Sequence, residues 1–338
     1  MMGDIVAEME PVSIIIACYN GEQRLPHLLR SLRSQRYDQT AIDIIVVDDA
    51  STDRTIEIAR SFGARVFANG HRNIERGKAI GFREARHEYV MFIDDDNRLP
   101  HDAWLEHAIE ALNENPEAVG VQAAWFSLIG SDPPANRYCS IFGGDPLAVY
   151  LRRRDHLARY ETRWTLPGEV VAETKRYWKV RFDASNFPTL GSQGFISRRS
   201  LIAKTPWDPY LFHIDTNYRL MLDGHDRFIM LRDEIQHDYC LSVRSMLRKK
   251  SRDARLFLEQ SHMRLFRWQT SPTRFVIALG LMLSVVQPLA LSIRAFVRTR
   301  DAACFLHPIL CVALPLLYFR ETIFHVFRRA AKRPRMPN

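Results

Sequence analysis

Short apolar segments alternate with helical periodicity over the first hundred residues, and this alternation limits the possible folds more than any other feature. Four segments rich in β-branched residues are expected to be strands: residues 12–18, 42–47, 64–67 and 89–93. Apolar residues then recur at three and four positions, as in the leucine-rich stretch 25–32. The repeated steps predict a Rossmann-like, mostly parallel sheet with helices on both faces. Because ligands of such sheets bind beyond the carboxyl ends of the strands, residues just after strands are the functional candidates.

The net charge of +8 is unevenly distributed along the chain. Residues 244–338 contain 18 Lys and Arg against 4 Asp and Glu, a net charge of +14, so residues 1–243 carry −6. Because the basic part alternates charges with apolar runs, it favours anionic lipid over nucleic acid as its partner. The five cysteines form no CxxC pair, which argues against a disulfide framework and fits a reducing compartment. Residues 1–10 lack the features of a secretory signal, so we expect the acidic part to lie in the cytoplasm.

Two apolar runs lie near the C-terminus, at residues 275–293 and 302–319. Both are close to the length of a transmembrane helix, about 20 residues. Pro288 and Pro315 interrupt them, so a pair of buried or interfacial helices is the alternative. Lys and Arg outside the two runs favour cytoplasmic ends, whereas three arginines in the connection oppose that topology. A re-entrant hairpin would reconcile the two patterns.

A basic amphipathic segment precedes the first apolar run. Its cations are Arg248, Lys249, Lys250, Arg252 and Arg255. They either contact the phosphates of a lipid-linked acceptor or attract anionic lipid without specificity. We therefore predict an acidic domain over residues 1–243, basic amphipathic interfacial helices over 244–272, and a membrane hairpin with a basic cytoplasmic tail over 273–338. Within the first part, residues 128–188 are expected to form long connections and some strands that contact a variable ligand.

Carboxylates follow two of the predicted strands. IIVVDDASTD (44–53) ends a strand with Asp49 in a position suited to a ligand, while Asp53 stands where a helix cap belongs. VMFIDDDN (90–97) ends another strand with three aspartates. Turn and cap chemistry is the ordinary explanation of such residues, but two acidic strand ends in one sheet argue against it.

The second of these acidic strand ends predicts a metal site. Alternation along an extended chain places Asp94 and Asp96 on one side and Asp95 on the other. Two converging carboxylates form a hard oxygen site for Mg²⁺ or Mn²⁺, ions that complete their shells with water and substrate phosphates. A diphosphate is the expected third partner.

The chain resembles the inverting family 2 glycosyltransferases of GT-A fold over about residues 11–240. The resemblance rests on ordered segments: VSIIIACYNGE (12–22), IIVVDDASTD (44–53), GKAIGFREARHEYVMFIDDDN (77–97), TLGSQGFISRR (189–199) and FHIDTNYRL (212–220). It implies an α/β enzyme of hexosyltransferase type that uses a nucleotide-sugar donor, a UDP or GDP sugar, with Mg²⁺ or Mn²⁺ as its cofactor.

By position, the resemblance also implies roles for single residues. Those that border or contact the donor are Ala17, Tyr19, Glu22, Asp49, Lys78, Asp94, Asp95, Gly191, Ser192, Gln193 and Gly194. Asp94 and Asp96 would hold the metal ion, and His237 matches a late histidine that completes the metal site. Asp215 matches the catalytic general base. The chain departs from the pattern at Ile214, where Glu is usual, at Asn217 and Tyr218, and at Ala79, where many relatives have Asn.

The preferred hypothesis is a membrane-associated, inverting and metal-dependent glycosyltransferase of cell-envelope glycan or glycolipid assembly. Its acceptor would be a lipid-linked sugar or a glycan, and its catalytic domain would face the cytoplasm at the cytoplasmic membrane. A polyprenyl-phosphate sugar synthase is one alternative. A non-catalytic nucleotide-binding membrane scaffold is another, motivated by Ile214 and Ala79. A nucleotidyltransferase is a third, although the expected Gly-rich triphosphate loop is absent from the first strand end.

Overall fold

A computed structural model describes residues 10–191, 193–267 and 271–331, with side chains up to Arg328. Its strands, in chain order, are β1 (Val12–Cys18), β2 (Ile42–Asp48), β3 (Arg65–Ala68), β4 (Tyr89–Ile93), β5 (Asn97–Arg98), β6 (Gly120–Phe126), β7 (Glu169–Glu173), β8 (Tyr177–Arg181), β9 (Gln193–Arg198) and β10 (Arg227–His237).

The helices alternate with these strands in the first part of the chain and follow one another in the last. They are α1 (Leu25–Arg33), α2 (Thr55–Ser61), α3 (Ile74–Glu84), α4 (Trp104–Asn113), α5 (Pro134–Phe142), α6 (Pro146–Tyr150), α7 (Arg199–Ile202), α8 (His213–Leu222), α9 (Val243–Gln260), α10 (Pro272–Leu283), α11 (Val286–Thr299) and α12 (Leu306–Ala331). Short 3₁₀ turns cover Ser261–Met263 and Ala302–Phe305.

The strands form a mixed sheet in the order β3-β2-β1-β4-β9-β6-β10-β8-β7, with β5 paired to β10. β1 is parallel to β2 and to β4, β2 to β3, and β6 to β10. β9 is antiparallel to both β4 and β6, and it thereby joins the two parallel groups. The predicted Rossmann-like, mostly parallel architecture of GT-A type is confirmed.

Helices cover both faces of the sheet, as the unbroken apolar strands predict. Ile14 and Ile16 pack with the leucines of α1 on one face. Ile15 points to the other face and packs with Phe82 of α3. All three isoleucines are at most 1% exposed. Because successive side chains of a strand point to opposite faces, a strand buried on both faces needs apolar residues at every position.

The chain forms two compact units, with divisions after Ser127, Leu166 and His237. We call residues 10–127 and 167–237, apart from 192, the sheet unit, and the described residues of 128–166 and 238–331 the helical unit. This division differs from the expected boundary at residue 243, because residues 128–166 belong with the C-terminal helices. Tyr138 and Phe142 of α5 are buried with Cys304 and Leu310 in one apolar cluster of the helical unit. The apolar packing of α5 therefore explains why residues 128–166 belong to the helical unit.

The two C-terminal apolar runs differ in structure. The first is split at Ser284 and Val285 into α10 and α11, whose axes meet at 68°. Val285 has φ +61°, which a continuous helix does not allow. In the described residues, Ala302–Arg328 is long and apolar enough to cross a membrane by length and composition, and the bent pair is a second candidate only if it acts as one span. The predicted membrane hairpin stays a prediction.

Candidate active site

Acidic and polar residues meet at one edge of the sheet. Asp49 follows β2 and Asp94 follows β4, so both lie at the carboxyl ends of parallel strands. β10 ends at His237 and runs parallel to β6. β9 runs in the opposite direction, so its first residue, Gln193, pairs with Ile93 at the end of β4. The edge predicted for ligand binding thus receives groups from four strands.

Asp94, Asp96 and His237 are the residues of this edge with metal-ligand chemistry. His237 pairs with Asn97 across β10 and β5, which brings its Nε2 to 3.4 Å from Asp96 Oδ1. Asp94 Oδ1 is buried, and no group among the described residues donates a hydrogen bond to it. A buried carboxylate oxygen without a donor costs free energy, and a divalent ion would satisfy it. Two carboxylates and one imidazole fit Mg²⁺ or Mn²⁺, although their assignment as ligands stays a prediction.

Asp95, between these two aspartates, contacts the loop after β1. Its Oδ2 lies 2.9 Å from Arg24 Nη2 and accepts a hydrogen bond from Cys18 Sγ at 3.2 Å. Burial raises the pKa of the Asp95 carboxyl, and the charge of Arg24 opposes that shift. Burial, together with the Asp95 carboxylate, also raises the pKa of the Cys18 thiol. Asp95 therefore links two loops of the site, and its predicted contact with a donor stays untested.

Lys78 of α3 connects the metal group with α8. Its ammonium Nζ lies 3.7 Å from Asp94 Oδ1, 3.9 Å from Glu75 Oε2 and 3.3 Å from His213 Nδ1. The side chain of Lys78 is only 5% exposed. A buried ammonium group between carboxylates is held in place by charge-assisted contacts. It is thus a fixed positive charge beside the carboxylates where a diphosphate is expected.

Asp215 lies in the first turn of α8, two residues after His213, and is 9% exposed. Gly191 packs on the same turn with φ +130°, a conformation open to glycine. A Cβ at Gly191 would lie 2.7 Å from Asn217 Nδ2 and 3.1 Å from His213 Cβ. The structure therefore brings the predicted base, the glycine-containing segment and Lys78 to one region through His213.

The loops after β1 and β2 are tied together by hydrogen bonds. Asn20 N–H donates to Ser51 Oγ at 2.9 Å, and Thr52 N–H donates to Asn20 Oδ1 at 2.9 Å. Glu22 N–H donates to Asp53 Oδ2 at 3.1 Å. The two loops that carry predicted donor residues therefore form one preorganised surface.

The remaining donor residues lie on or beside this surface. Ala17 is buried in β1, whereas Tyr19 is exposed, with the Arg72 guanidinium 5.4 Å from its ring centroid. Asp49 is buried, and its Oδ1 accepts no hydrogen bond. Burial raises the pKa of the Asp49 carboxyl, and the backbone N–H groups of Asn73 and Arg72 oppose that shift. Asp49 thus offers an unused acceptor to a ligand.

The segment from Gly191 to Gly194, which the resemblance places at the donor, is in part a strand. Gln193 and Gly194 are the first residues of β9, and Ser192 lies outside the described residues. Asn97 Nδ2 donates to Gln193 Oε1 at 2.8 Å, which ties β9 to the aspartate turn. Ala79 is buried in the apolar cluster beneath the sheet, away from these polar groups.

Sequence reasoning missed two polar residues of this region, His213 and Asn69. Asn69 follows β3, is 1% exposed and donates from Nδ2 to the Asn73 carbonyl at 2.8 Å. Its position after a predicted strand was a usable signal, because strand ends of this sheet carry the site. His213 is a lone histidine at a helix start, and no local pattern marks it.

Comparisons with known proteins identify the family of the chain. Residues 13–182, half of the chain, match the family model described as Glycosyl transferase family 2. A 4,4'-diaponeurosporenoate glycosyltransferase of Staphylococcus haemolyticus is 38% identical over 30% of this chain and 28% of its own length. A poly-beta-1,6-N-acetyl-D-glucosamine synthase of Staphylococcus epidermidis is 33% identical over 32% of this chain and 27% of its own. The chain thus spans less than a third of the length of these relatives.

A solved structure supports the fold. The mannosyltransferase PcManGT from Pyrobaculum calidifontis, in complex with GDP-Man and Mn²⁺, superposes with a TM-score of 0.56 over 95% of this chain and 88% of that chain, at 16% sequence identity. The fold and the residues at the sheet edge define a glycosyltransferase of GT-A type. The chain belongs to glycosyltransferase family 2.

Proposed function

We propose that this enzyme transfers a sugar from a nucleoside-diphosphate sugar to an acceptor hydroxyl, with inversion at the anomeric carbon and with Mg²⁺ or Mn²⁺ bound. One observation carries the proposal. Contacts from Asp94 through Lys78 and His213 lead to the helix turn that holds Asp215. Groups suited to a diphosphate and a group suited to an acceptor proton therefore lie in one region of the sheet unit.

The donor nucleotide would bind at the tied loops after β1 and β2. The unused oxygen of Asp49 accepts a hydrogen bond from the base, and Tyr19 offers an exposed ring beside it. Gly191, Gln193 and Gly194 would line the sugar on the other side, and the positive φ angles of the two glycines, +130° and +70°, fix the path of the backbone there. The complex of PcManGT with GDP-Man supports a nucleotide sugar as the donor class.

The diphosphate would lie between Lys78 and the metal ligands. Asp94, Asp96 and His237 would hold the ion, and Lys78 adds a buried positive charge. A bound divalent ion neutralises the charge that develops on a departing diphosphate. Preorganised charges of this kind lower the barrier because they need no rearrangement as the bond breaks.

Asp215 would accept the proton of the acceptor hydroxyl as its oxygen attacks the anomeric carbon. Attack from the face opposite the departing diphosphate inverts the configuration. The proposal requires the Asp215 carboxylate within about 2.6 to 3.2 Å of the acceptor oxygen in the reactive complex. An acceptor phosphate is already ionised, so a polyprenyl-phosphate sugar synthase would need no base at this position.

The helical unit supports an acceptor at a membrane. Large apolar side chains remain exposed on α10, α11 and α12, among them Val276 at 66%, Val286 at 75% and Ile309 at 61%. Contiguous exposed apolar surface is typical of membrane contact. We propose that these helices lie in or across the cytoplasmic membrane, with the catalytic residues on its cytoplasmic side.

Some cations of the basic segment instead pair with acidic residues of the helical unit. Lys250 Nζ lies 3.5 Å from Asp145 Oδ2, and Arg255 Nε lies 3.6 Å from Glu321 Oε2. Arg252 is exposed and pairs with its neighbour Asp253 at 3.1 Å. The predicted headgroup contact therefore suits Arg252 better than Lys250, which is mostly buried.

We infer the acceptor class from the relatives. The relative named poly-beta-1,6-N-acetyl-D-glucosamine synthase acts in polysaccharide synthesis by its name. Together with exposed apolar helices, this supports a cell-envelope glycan or a lipid-linked sugar as the acceptor. Nucleic acid is not expected, because the basic residues alternate with apolar ones.

The test of the reaction uses membranes, a panel of radiolabelled UDP and GDP sugars, and Mn²⁺ or a chelator. Asp215→Asn should lower kcat by roughly 10² to 10⁴-fold with donor affinity retained, as expected for the loss of a general base. Asp96→Asn should impair both donor binding and transfer. Asp223→Asn, an exposed residue at the end of the same helix, is the matched control. A rate of sugar transfer that is unchanged by chelator and by Asp96→Asn would exclude the proposed mechanism.

Membrane association has a separate test by flotation with anionic vesicles. Ile309→Asp introduces a charge on exposed α12 and should reduce the bound fraction. Leu241→Asp introduces the same charge at an 81% exposed position outside the helices and should not. Equal flotation of both variants and the parent chain would contradict the assignment of the apolar face.

A further inference from the structure

Two histidines and one aspartate of the sheet unit form a cluster outside the site described above. His101 precedes α4, His107 lies in its first turns, and Asp233 belongs to β10. His101 Nε2 is 2.8 Å from Asp233 Oδ2, and His107 Nδ1 is 3.8 Å from the same oxygen. The three atoms all lie within 4.8 Å of one another.

A β-bulge in β10 orients the side chain of Asp233 toward the two histidines. The pairing of β10 with β6 shifts register between Leu231 and Glu234. Bulges of this kind redirect side chains and are common beside functional sites. Glu234 N–H donates to Asp233 Oδ1 at 2.7 Å, which leaves Oδ2 for the two imidazoles.

Further contacts hold the histidine side of the cluster. Trp104 Nε1–H donates to the Glu234 carbonyl at 2.9 Å, which fixes the start of α4 against the bulge. Gln35 Nε2 donates to the His101 carbonyl at 2.8 Å. The three ligand groups are therefore positioned by separate elements of the fold, which is the support that a preorganised site needs.

The spacing matches a tetrahedral ion with nitrogen and oxygen ligands. Zn²⁺ binds His nitrogen and carboxylate oxygen at about 2.0 to 2.2 Å, which places neighbouring ligand atoms about 3.3 to 3.5 Å apart. The two distances to Asp233 Oδ2, 2.8 and 3.8 Å, lie on either side of that value. His107 also contacts the ring of His101, with the two ring centroids 5.6 Å apart, so both imidazoles and the carboxylate lie together.

We propose that His101, His107 and Asp233 bind a Zn²⁺ ion, with a fourth position open to water or to another ligand. The histidine side chains are 39% and 45% exposed, so an ion can enter from solvent. Two imidazoles and one carboxylate favour Zn²⁺, because Mg²⁺ prefers oxygen ligands, whereas the group of Asp94, Asp96 and His237 contains two carboxylates and only one imidazole. The site thus differs in chemistry from the one proposed for Asp94 and Asp96.

The ion would tie together the elements that also carry the metal ligands of the active site. Asp233 and His237 are on one strand, about 13 Å apart at the rise of an extended chain. His101 follows the β5 segment, which pairs with His237. Zn²⁺ would thus stabilise the arrangement of β5, β10 and α4, and the inference goes beyond the proposed transfer reaction.

The experiment measures Zn²⁺ binding to the full chain without a polyhistidine tag. The protein carries Asp96→Ala to disable the other metal group, and titration calorimetry is run in excess Mg²⁺. We expect one Zn²⁺ per chain. His107→Gln and Asp233→Asn should each weaken binding by roughly 10- to 100-fold or more, whereas His27→Gln, an exposed histidine of α1, should not.

X-ray absorption provides a second readout. The parent chain should show two imidazole ligands to zinc, and His107→Gln should show fewer. Far-UV circular dichroism confirms that each variant folds. Absence of Zn²⁺ binding, or equal affinity in the parent chain, His107→Gln and Asp233→Asn, would overturn the proposal. None of these measurements depends on transfer activity, so they are independent of the proposed function.

Discussion

Replacement of Gly120 by alanine should strongly destabilise the sheet unit. Gly120 begins β6 and pairs with Ser197 of β9. A Cβ there would lie 2.3 Å from Phe195 Cζ and 2.5 Å from the Ile196 carbonyl oxygen. The ring can turn away, but the carbonyl belongs to the strand backbone. Relief of the contact therefore requires β9 to move away from β6.

The expected cost is at the upper end of the range for overpacking, about 3 kcal/mol. The control is Gly70→Ala, because no atom lies within 4 Å of the Cβ it would add. That control should change the free energy of unfolding by less than about 1 kcal/mol, since it mainly restricts the unfolded chain. At about 2 to 4 °C per kcal/mol for a unit of this size, Gly120→Ala should lower Tm by about 6 to 12 °C.

Urea unfolding followed by tryptophan fluorescence measures the difference, since Trp104 and Trp178 are buried in the sheet unit. Phe195→Leu in the Gly120→Ala background should recover only part of the loss, because the Ile196 carbonyl remains. Gln193 is the first residue of β9, so nucleotide affinity should fall with stability. A free energy of unfolding for Gly120→Ala within about 0.5 kcal/mol of the Gly70→Ala value would refute the reasoning.

Three further predictions concern other residues. Asp49→Asn should weaken nucleotide binding yet raise the thermal unfolding midpoint at neutral pH, because burial raises the pKa of the Asp49 carboxyl. The stability that the protonated carboxyl contributes is complete below pH 3.8 and is lost as the pH rises through the pKa of the folded state. An unchanged thermal midpoint would contradict this. Cys18 should resist alkylation by iodoacetamide at pH 8 until the chain unfolds, since burial raises its thiol pKa, and peptide mapping shows whether it is modified. Arg137→Met should cost about 1 to 3 kcal/mol in thermal unfolding, because it leaves the half-buried Asp301 without its partner at 2.7 Å, whereas Arg181→Met removes an exposed pair and should cost little.

Local periodicity was enough to predict the parallel half of the sheet. The expected strands 12–18 and 89–93 match β1 and β4, because unbroken apolar runs beside acidic turns are a short-range signal. Helix α3 begins at Ile74. Asn73 caps it by accepting hydrogen bonds from the N–H groups of Glu75 and Arg76. That cap was readable, since Asn is a favoured cap residue.

Long-range pairing accounts for most of what the sequence did not reveal. The segment beginning at Gly191 looks like a turn, yet Gln193–Arg198 is a strand because it pairs with β4 and β6. Residues 128–166 were expected in the catalytic part, and their place among the C-terminal helices depends on apolar partners far along the chain. The role of His213 likewise follows from its distance to Lys78, which no local pattern encodes.

The pairing of β5 with β10 has a consequence for the timing of synthesis. Asn97 and His237 are neighbours in the fold, but the ribosome adds one long after the other. A nascent chain that extends past β4 already contains Asp94 and Asp96, whereas His237 is added only with β10, the last strand of the sheet in chain order. On the proposed assignment of His237 as a metal ligand, products that terminate before residue 237 should therefore be inactive in transfer.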